Sequence, residues 1–130
     1  ANGFEEIEAL TVVDVLRRAA IECLMVGFDP EVTGSHGITV KVDEVWSGSL
    51  DHFDGIVLPG GMPGAANLRD HEGLIQSLKE AHDQGKSLAA ICAAPIVLDR
   101  AGLLDEKRYT CYDGFEKEIG REQWFRMVTF

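Results

Sequence analysis

Ser87-Leu88-Ala89-Ala90-Ile91-Cys92-Ala93-Ala94-Pro95 is the stretch whose reading decides the fold. An apolar, strand-like run ends at a cysteine and a helix-compatible run begins, so the segment reads as a strand-turn-helix elbow with Cys92 at its apex. Ala90, Ala93 and Ala94 are small enough for such a turn. Pro95 lacks a backbone donor and is tolerated in a first helical turn, which puts the helix start directly after Cys92. A sulfur at a helix N-terminus meets free N–H groups and a partial positive charge, which favour thiolate over thiol and predict a lowered pKa. The competing reading is a buried structural cysteine, because free cysteine is among the most buried residue types.

Upstream of the elbow, Gly55-Ile56-Val57-Leu58 is a continuous apolar run between Asp54 and Pro59, the pattern of a parallel strand covered on both faces. Pro59-Gly60-Gly61-Met62-Pro63-Gly64 follows. Consecutive glycines let a backbone turn sharply and leave its N–H groups bare, which suits an anion or a developing oxyanion. The run is neither a P-loop, since no Lys-Ser/Thr follows, nor a GxGxxG fingerprint, since the glycines fall at 60, 61 and 64. A tight strand-to-helix connection without chemistry explains it equally well when it is taken alone. Asn67 or Asp70 can cap the next helix, whose apolar positions Leu74, Ile75, Leu78 and Ala81 hold helical spacing, and Gly85 can end it. After the elbow, a helix through Ile96, Val97 and Leu98 can stop at Gly102. Two successive strand-turn-helix units predict an α/β fold with a parallel sheet. In such sheets ligands collect at the carboxyl ends of the strands, where the glycine loop and Cys92 would meet.

Further from the elbow the signals thin out. Residues from Gly3 to Ala20 carry apolar side chains at helical steps (Ile7, Leu10, Val13, Leu16), with Glu5, Glu6 and Glu8 at the start as solvated helix-start acids. Ile21 to Phe28 is of strand length, Asp29 to Gly37 reads as a loop, and Ile38 to Asp43 alternates like an edge strand. Tyr109-Thr110-Cys111 is a short strand candidate, Glu116 to Ile119 a helical turn, and Met127 to Phe130 a last strand fragment. His36, His52, His71 and His82 form no ligand motif, and Trp46 and Trp124 read as packing residues.

The 130 residues make one domain's worth of chain, and the 45% hydrophobic and 26% charged content describes a globular protein. No apolar run approaches the roughly 18 residues of a membrane span. A formal charge of -10 gives no electrostatic footprint for nucleic acid or an anionic membrane, so small-molecule or protein partners are expected. Cys23, Cys92 and Cys111 are odd in number, far apart and without a CxxC pair. That argues against a disulfide framework and a zinc ribbon, and for a reducing, cytoplasmic setting.

Taken together, Asn2-Gly3-Phe4-Glu5-Glu6-Ile7-Glu8, Leu58-Pro59-Gly60-Gly61 and Ala90-Ile91-Cys92-Ala93-Ala94-Pro95 resemble the ThiJ/PfpI superfamily, the family of the parkinsonism-associated protein deglycase, with the bacterial YajL-like branch most similar. The likeness runs from Ala1 to about Trp124, with the motifs in family order. It implies a flavodoxin-like sandwich with a mostly parallel sheet and helices on both faces, usually assembled as a homodimer. Carried across position by position, it makes Cys92 the nucleophile, Glu8 its protonated carboxyl partner, and the backbone N–H groups of Gly61 and Ala93 the oxyanion site. No metal and no organic cofactor are implied. Tyr112 stands where many relatives keep a histidine near the cysteine, so a Cys-His peptidase triad is not expected. The resemblance also places a strand before Ala1 and a Gly-Pro-Gly segment with a closing helix after Phe130. Residues 1–130 are therefore expected to form a single domain lacking the family's first strand and C-terminal segment, with Met127 to Phe130 as a substitute first strand.

The resemblance implies cysteine-dependent detoxification of reactive aldehydes such as methylglyoxal, or of early glycation adducts on protein groups, linked to the oxidative-stress response. The alternative is a non-enzymatic redox-sensing chaperone or partner-binding module in which Cys92 is oxidised but turns nothing over.

Overall fold

A helix opens the chain because its ends are well matched to its charges. The computed structural model describes residues 1–121 and Trp124. Helix α1 (Glu6–Arg18) starts at Glu5, whose carboxylate accepts the Glu8 N–H at 2.8 Å, and it carries acids in its first turn and Arg17 and Arg18 in its last. There follow β1 (Val26–Gly27), β2 (Glu31–Thr33), β3 (Thr39–Lys41), β4 (Glu44–Val45), β5 (Gly55–Leu58), α2 (Gly64–Arg69), α3 (Glu72–Asp83), β6 (Ser87–Ala90), α4 (Pro95–Arg100) and α5 (Glu116–Ile119).

The strands pair as β1 with β4 and β5 with β6, both parallel, and as the antiparallel hairpin β2–β3. In the β5–β6 pair Gly55 lies opposite Ser87 and Leu58 opposite Ala90. The two strands thus end level, and the connections that leave them, Pro59 to Gly61 and Ile91 to Ala93, emerge side by side. The core gathers above this pair, where Leu68, Ile75, Leu78, Ile96 and Val97 from α2, α3 and α4 are buried against Leu58. Each such side chain contributes about 1.5–3 kcal/mol by leaving water.

The elements differ from the sequence reading in instructive ways. The stretch read as a loop contains β2, where Val32 buries its side chain while its neighbours face solvent. Pro30 and Gly34 hide it, because they read as turn residues although here they only bound a three-residue strand. Only Val26–Gly27 of the Ile21 to Phe28 run pairs. The helical segment beyond the glycine loop is two helices, and the second is capped by His71, whose Nδ1 accepts the Leu74 N–H at 3.0 Å, rather than by Asn67 or Asp70. Tyr109 contributes a single parallel bridge, to Trp124. Met127 to Phe130 lies outside the described residues.

β5 is covered on one side only, since Val57 is 45% exposed. It faces an apolar cavity of about 580 Å³ walled by Leu10, Val13 and Leu16 of α1 and by Val26, Ile56 and Val57 of the strands. Among the described residues, β1 and β5 each pair on one edge only. No described helix is long and apolar enough to cross a membrane.

Candidate active site

The elbow is built as its residue pattern requires. β6 ends at Ala90, Cys92 adopts φ 59°, and α4 begins with Pro95 in its first turn. A left-handed conformation is rare for a residue with a side chain and costs on the order of 1–3 kcal/mol, so the surrounding contacts must hold it. They do. The Ile91 N–H donates to the Leu58 carbonyl at 3.3 Å, the Ala94 N–H to the Ile91 carbonyl at 2.9 Å, and the Tyr112 N–H to the Cys92 carbonyl at 2.9 Å. Ala93 and Ala94 are buried behind the turn while Cys92 itself is half-buried and open to solvent.

Helix α1 brings the carboxyl group. Glu8 lies in its first turn, and its Oε2 accepts the Gly60 N–H at 2.7 Å. The Gly60 carbonyl in turn accepts the Glu5 N–H at 2.9 Å, so this one peptide is clamped between the start of α1 and its first turn. The approach is close: a Cβ on Gly60 would fall 2.6 Å from Glu8 Oε2 and 2.8 Å from Cys92 Cβ. Around the Cys92 sulfur stand the Glu8 side chain and the backbone N–H groups of Ala93 and Gly61, which act on its titration in opposite directions. The fold brings Cys92, Glu8, Gly61 and Ala93 together at the ends of β5 and β6.

The electrostatics correct one expectation. The Cys92 thiol titrates above its ordinary range, not below it. Burial is the largest cause, and the hydrogen bond to and negative charge of Glu8 act in the same direction; the Ala93 and Gly61 N–H groups pull the other way. The helix after the turn has only six residues, and its field does not outweigh a carboxylate in contact with the sulfur.

Sequence reading missed a second cluster beside this one. Glu6, taken as a solvated acid, is only 4% exposed. Its Oε1 accepts the His36 N–H at 2.7 Å and its Oε2 lies 3.0 Å from His36 Nδ1, with Glu5 Oε1 3.8 Å from the same nitrogen. Glu5, Glu6 and His36 are a set of metal-ligating type that no short motif reveals, since thirty positions separate Glu6 from His36. The exposed ring of Tyr112, in the place of the family histidine, packs edge-on against Phe115 with centroids 6.5 Å apart.

The sequence profile of the DJ-1/PfpI family matches residues 1–127. The chain belongs to that family. It is the superfamily to which the three motifs pointed, and its fold is flavodoxin-like. The chain is 36% identical over 123 residues to protein DJ-1 homolog B of Arabidopsis thaliana, covering 92% of this chain and 28% of the relative. It is 35% identical over 121 residues to a protein of Pyrococcus abyssi named as a deglycase, covering 92% of this chain and 72% of that one. The solved structure of oxidised Toxoplasma gondii DJ-1 superposes with a TM-score of 0.81 at 38% identity, over 91% of this chain and 66% of that one. The chain thus spans less than a third of the plant relative's length.

Proposed function

We propose that this chain performs deglycase-type chemistry: Cys92-dependent conversion of reactive aldehydes, free or as early adducts on protein groups. The observation that carries the reading is the meeting of Glu8 and Cys92 at Gly60, whose N–H donates to Glu8 Oε2 at 2.7 Å and where an added Cβ would fall 2.6 Å from that oxygen and 2.8 Å from Cys92 Cβ. The deglycase name of the Pyrococcus abyssi relative supports it. For methylglyoxal, the thiolate adds to the aldehyde carbon; the carbonyl electron pair moves to oxygen, where the Gly61 and Ala93 N–H groups receive the charge, and protonation gives a hemithioacetal. Glu8 then takes the proton from the former aldehyde carbon and returns one to the neighbouring carbon, leaving a thioester of lactate. Water hydrolyses the thioester, releasing lactate and the free thiol. One water is consumed, and no external oxidant or reductant is needed because the aldehyde is oxidised as the ketone is reduced. The test is lactate formation from methylglyoxal by Cys92→Ser. A folded variant is expected to lose more than 99% of turnover, and wild-type rates in that variant would rule the reading out.

A second reading is favoured by the same amides and by the oxidised state of the Toxoplasma gondii relative. Two equivalents of peroxide convert the thiolate to sulfinate with release of two waters, and the N–H groups of Gly61 and Ala93 are placed to receive its oxygens. Intact-mass measurement during peroxide titration separates the two: a gain of two oxygens at Cys92 with no lactate formed supports a sensor or chaperone module. A homodimer is proposed from the exposed Ile7 and Val15 on α1 and the exposed Ile38 of the β2–β3 connection, whose N–H donates to Glu6, and sedimentation equilibrium tests it. The setting proposed is cytoplasmic.

A further inference from the structure

The geometry points to Glu6 as the positioning residue of the Cys92–Glu8 pair: its buried carboxylate ties the loop between β2 and β3 onto residues 2–6, and that strap holds the glycine loop against the sulfur. The inference rests on Cys92 and Glu8 being the reactive pair. It follows from a continuous series of contacts. Glu6 Oε1 accepts the His36 N–H at 2.7 Å and the Ile38 N–H at 3.4 Å, while Oε2 meets His36 Nδ1 at 3.0 Å. A Cβ on Gly34 would collide with the Glu6 carboxylate, so the loop backbone closes directly over it. The same loop then grips the strap: the Gly3 N–H donates to the Thr33 carbonyl at 2.8 Å, the Ser35 N–H to the Phe4 carbonyl at 2.8 Å, and the Thr33 N–H to Asn2 Oδ1 at 3.0 Å.

On its other side the strap grips the glycine loop. The Glu5 N–H donates to the Gly60 carbonyl at 2.9 Å and the Gly64 N–H to the Gly3 carbonyl at 3.1 Å. The Gly60 N–H donates to Glu8 Oε2 at 2.7 Å, and Gly60 lies so close to Cys92 that an added Cβ would fall 2.8 Å from the Cys92 Cβ. Glu6 touches none of the reacting atoms. It acts through a backbone with one layer on each side, and a carboxylate suits this role because it accepts several N–H groups at once and each charge-assisted bond is roughly twice as strong as a neutral one. Among the described contacts the titratable groups around the Glu6 carboxylate are Glu5 and His36, and the carboxylate meets the His36 N–H, the Ile38 N–H and His36 Nδ1.

The test measures the thiol itself and needs no substrate. Cys92 alkylation by iodoacetamide is followed from pH 6 to 10.5 by peptide-resolved mass spectrometry, with Cys23 as internal control. Glu6→Ala is expected to release the environment that holds the Cys92 thiol high. Its midpoint falls toward the ordinary thiol value by about half a unit or more, which is roughly a threefold faster reaction at pH 8. Glu6→Gln, which keeps an oxygen for the His36 and Ile38 N–H groups, is expected to restore most of the wild-type profile. A folded Glu6→Ala protein with the wild-type midpoint overturns the proposal. So does a Glu6→Gln profile equal to that of Glu6→Ala, or a matching rise in Cys23 reactivity, which would mark general loosening. If Glu6→Ala does not fold, His36→Ala at the exposed end of the clasp decides the matter: a downward shift supports the proposal and an unchanged midpoint overturns it. Methylglyoxal turnover is scored separately, so absent turnover with a shifted midpoint rejects the enzymatic reading and leaves the positioning role standing.

Discussion

At the scale of single residues, Glu8 has two effects on Cys92. After burial it is the main cause that pushes the thiol upward, and in the proposed reaction it is the group that moves the proton. Glu8→Gln separates these roles. Removing the negative charge lets the Cys92 thiol titrate lower, so iodoacetamide alkylation at pH 8 is expected to speed up severalfold while lactate formation from methylglyoxal falls by at least 100-fold, since an amide cannot shuttle the proton. Slower alkylation together with lost turnover would instead mean that the carboxylate was activating the sulfur. Gly60→Ala tests the closeness of the site: a methyl group 2.6 Å from Glu8 Oε2 is expected to cost about 1–3 kcal/mol in urea denaturation and to abolish turnover. Cys92 and the Gly60-Gly61 turn were legible as local patterns, a cysteine before small residues and a proline and a pair of glycines after an apolar strand, whereas Glu8 read locally as a solvated acid and entered only through the family resemblance. The direction of the Cys92 pKa was not legible, since it depends on burial and on a carboxylate eighty-four positions away in the chain.

At the scale of elements, caps and clasps decide stability more than intrinsic helix preference does. α3 starts on His71, whose ring also stacks on Phe28 with centroids 4.1 Å apart and planes 6° from parallel. His71→Ala is expected to lose both the cap and the stack, about 1–3 kcal/mol by urea denaturation, whereas His71→Asn keeps a capping oxygen and is expected to lose about half of that. The Glu6–His36 clasp gives a pH signature. Burial works against the Glu6 charge, but the hydrogen bonds from His36 and its neighbours win and hold the carboxyl down at about 2, against an ordinary 4.5. Its contribution is therefore complete above pH 4.5 and disappears as pH falls toward 2. His36 is raised above its ordinary 6.5, chiefly by its hydrogen bond to Glu6, so its share is complete below pH 6.5 and is lost as pH rises through the raised value. Chemical denaturation at pH 3, 5.5 and 9 is expected to show the largest wild-type advantage over Glu6→Gln at pH 5.5. Periodicity revealed α3, β5, β6 and the short α5, all of which have enough residues or sharp enough boundaries. It missed β2 and the division between α2 and α3, because three-residue strands and a break at Asp70-His71 leave no repeat to count.

At the scale of the molecule, the parallel pairs and their helices do not enclose all the apolar surface they present. Among the described residues, the cavity under α1 is bounded by one unpaired edge each of β1 and β5, a surface to which apolar molecules or other strands can adhere. An environment-sensitive apolar dye is expected to fluoresce with the folded protein, and Val57→Asp, at an exposed position on the cavity wall, is expected to reduce that signal at least twofold without unfolding. A dye response unchanged by Val57→Asp would place the binding elsewhere. By itself the sequence determined the α/β class and the family, since these depend on local pattern: apolar runs, glycine and proline punctuation, and a cysteine at a turn. Only the tertiary structure decided that Glu8 and Cys92 meet at Gly60, that burial and Glu8 push the thiol upward, and that Glu6 is buried under the loop bearing His36. Those facts arise from groups distant in the chain meeting in a medium of low polarity, and no spacing along the sequence encodes the distance between them.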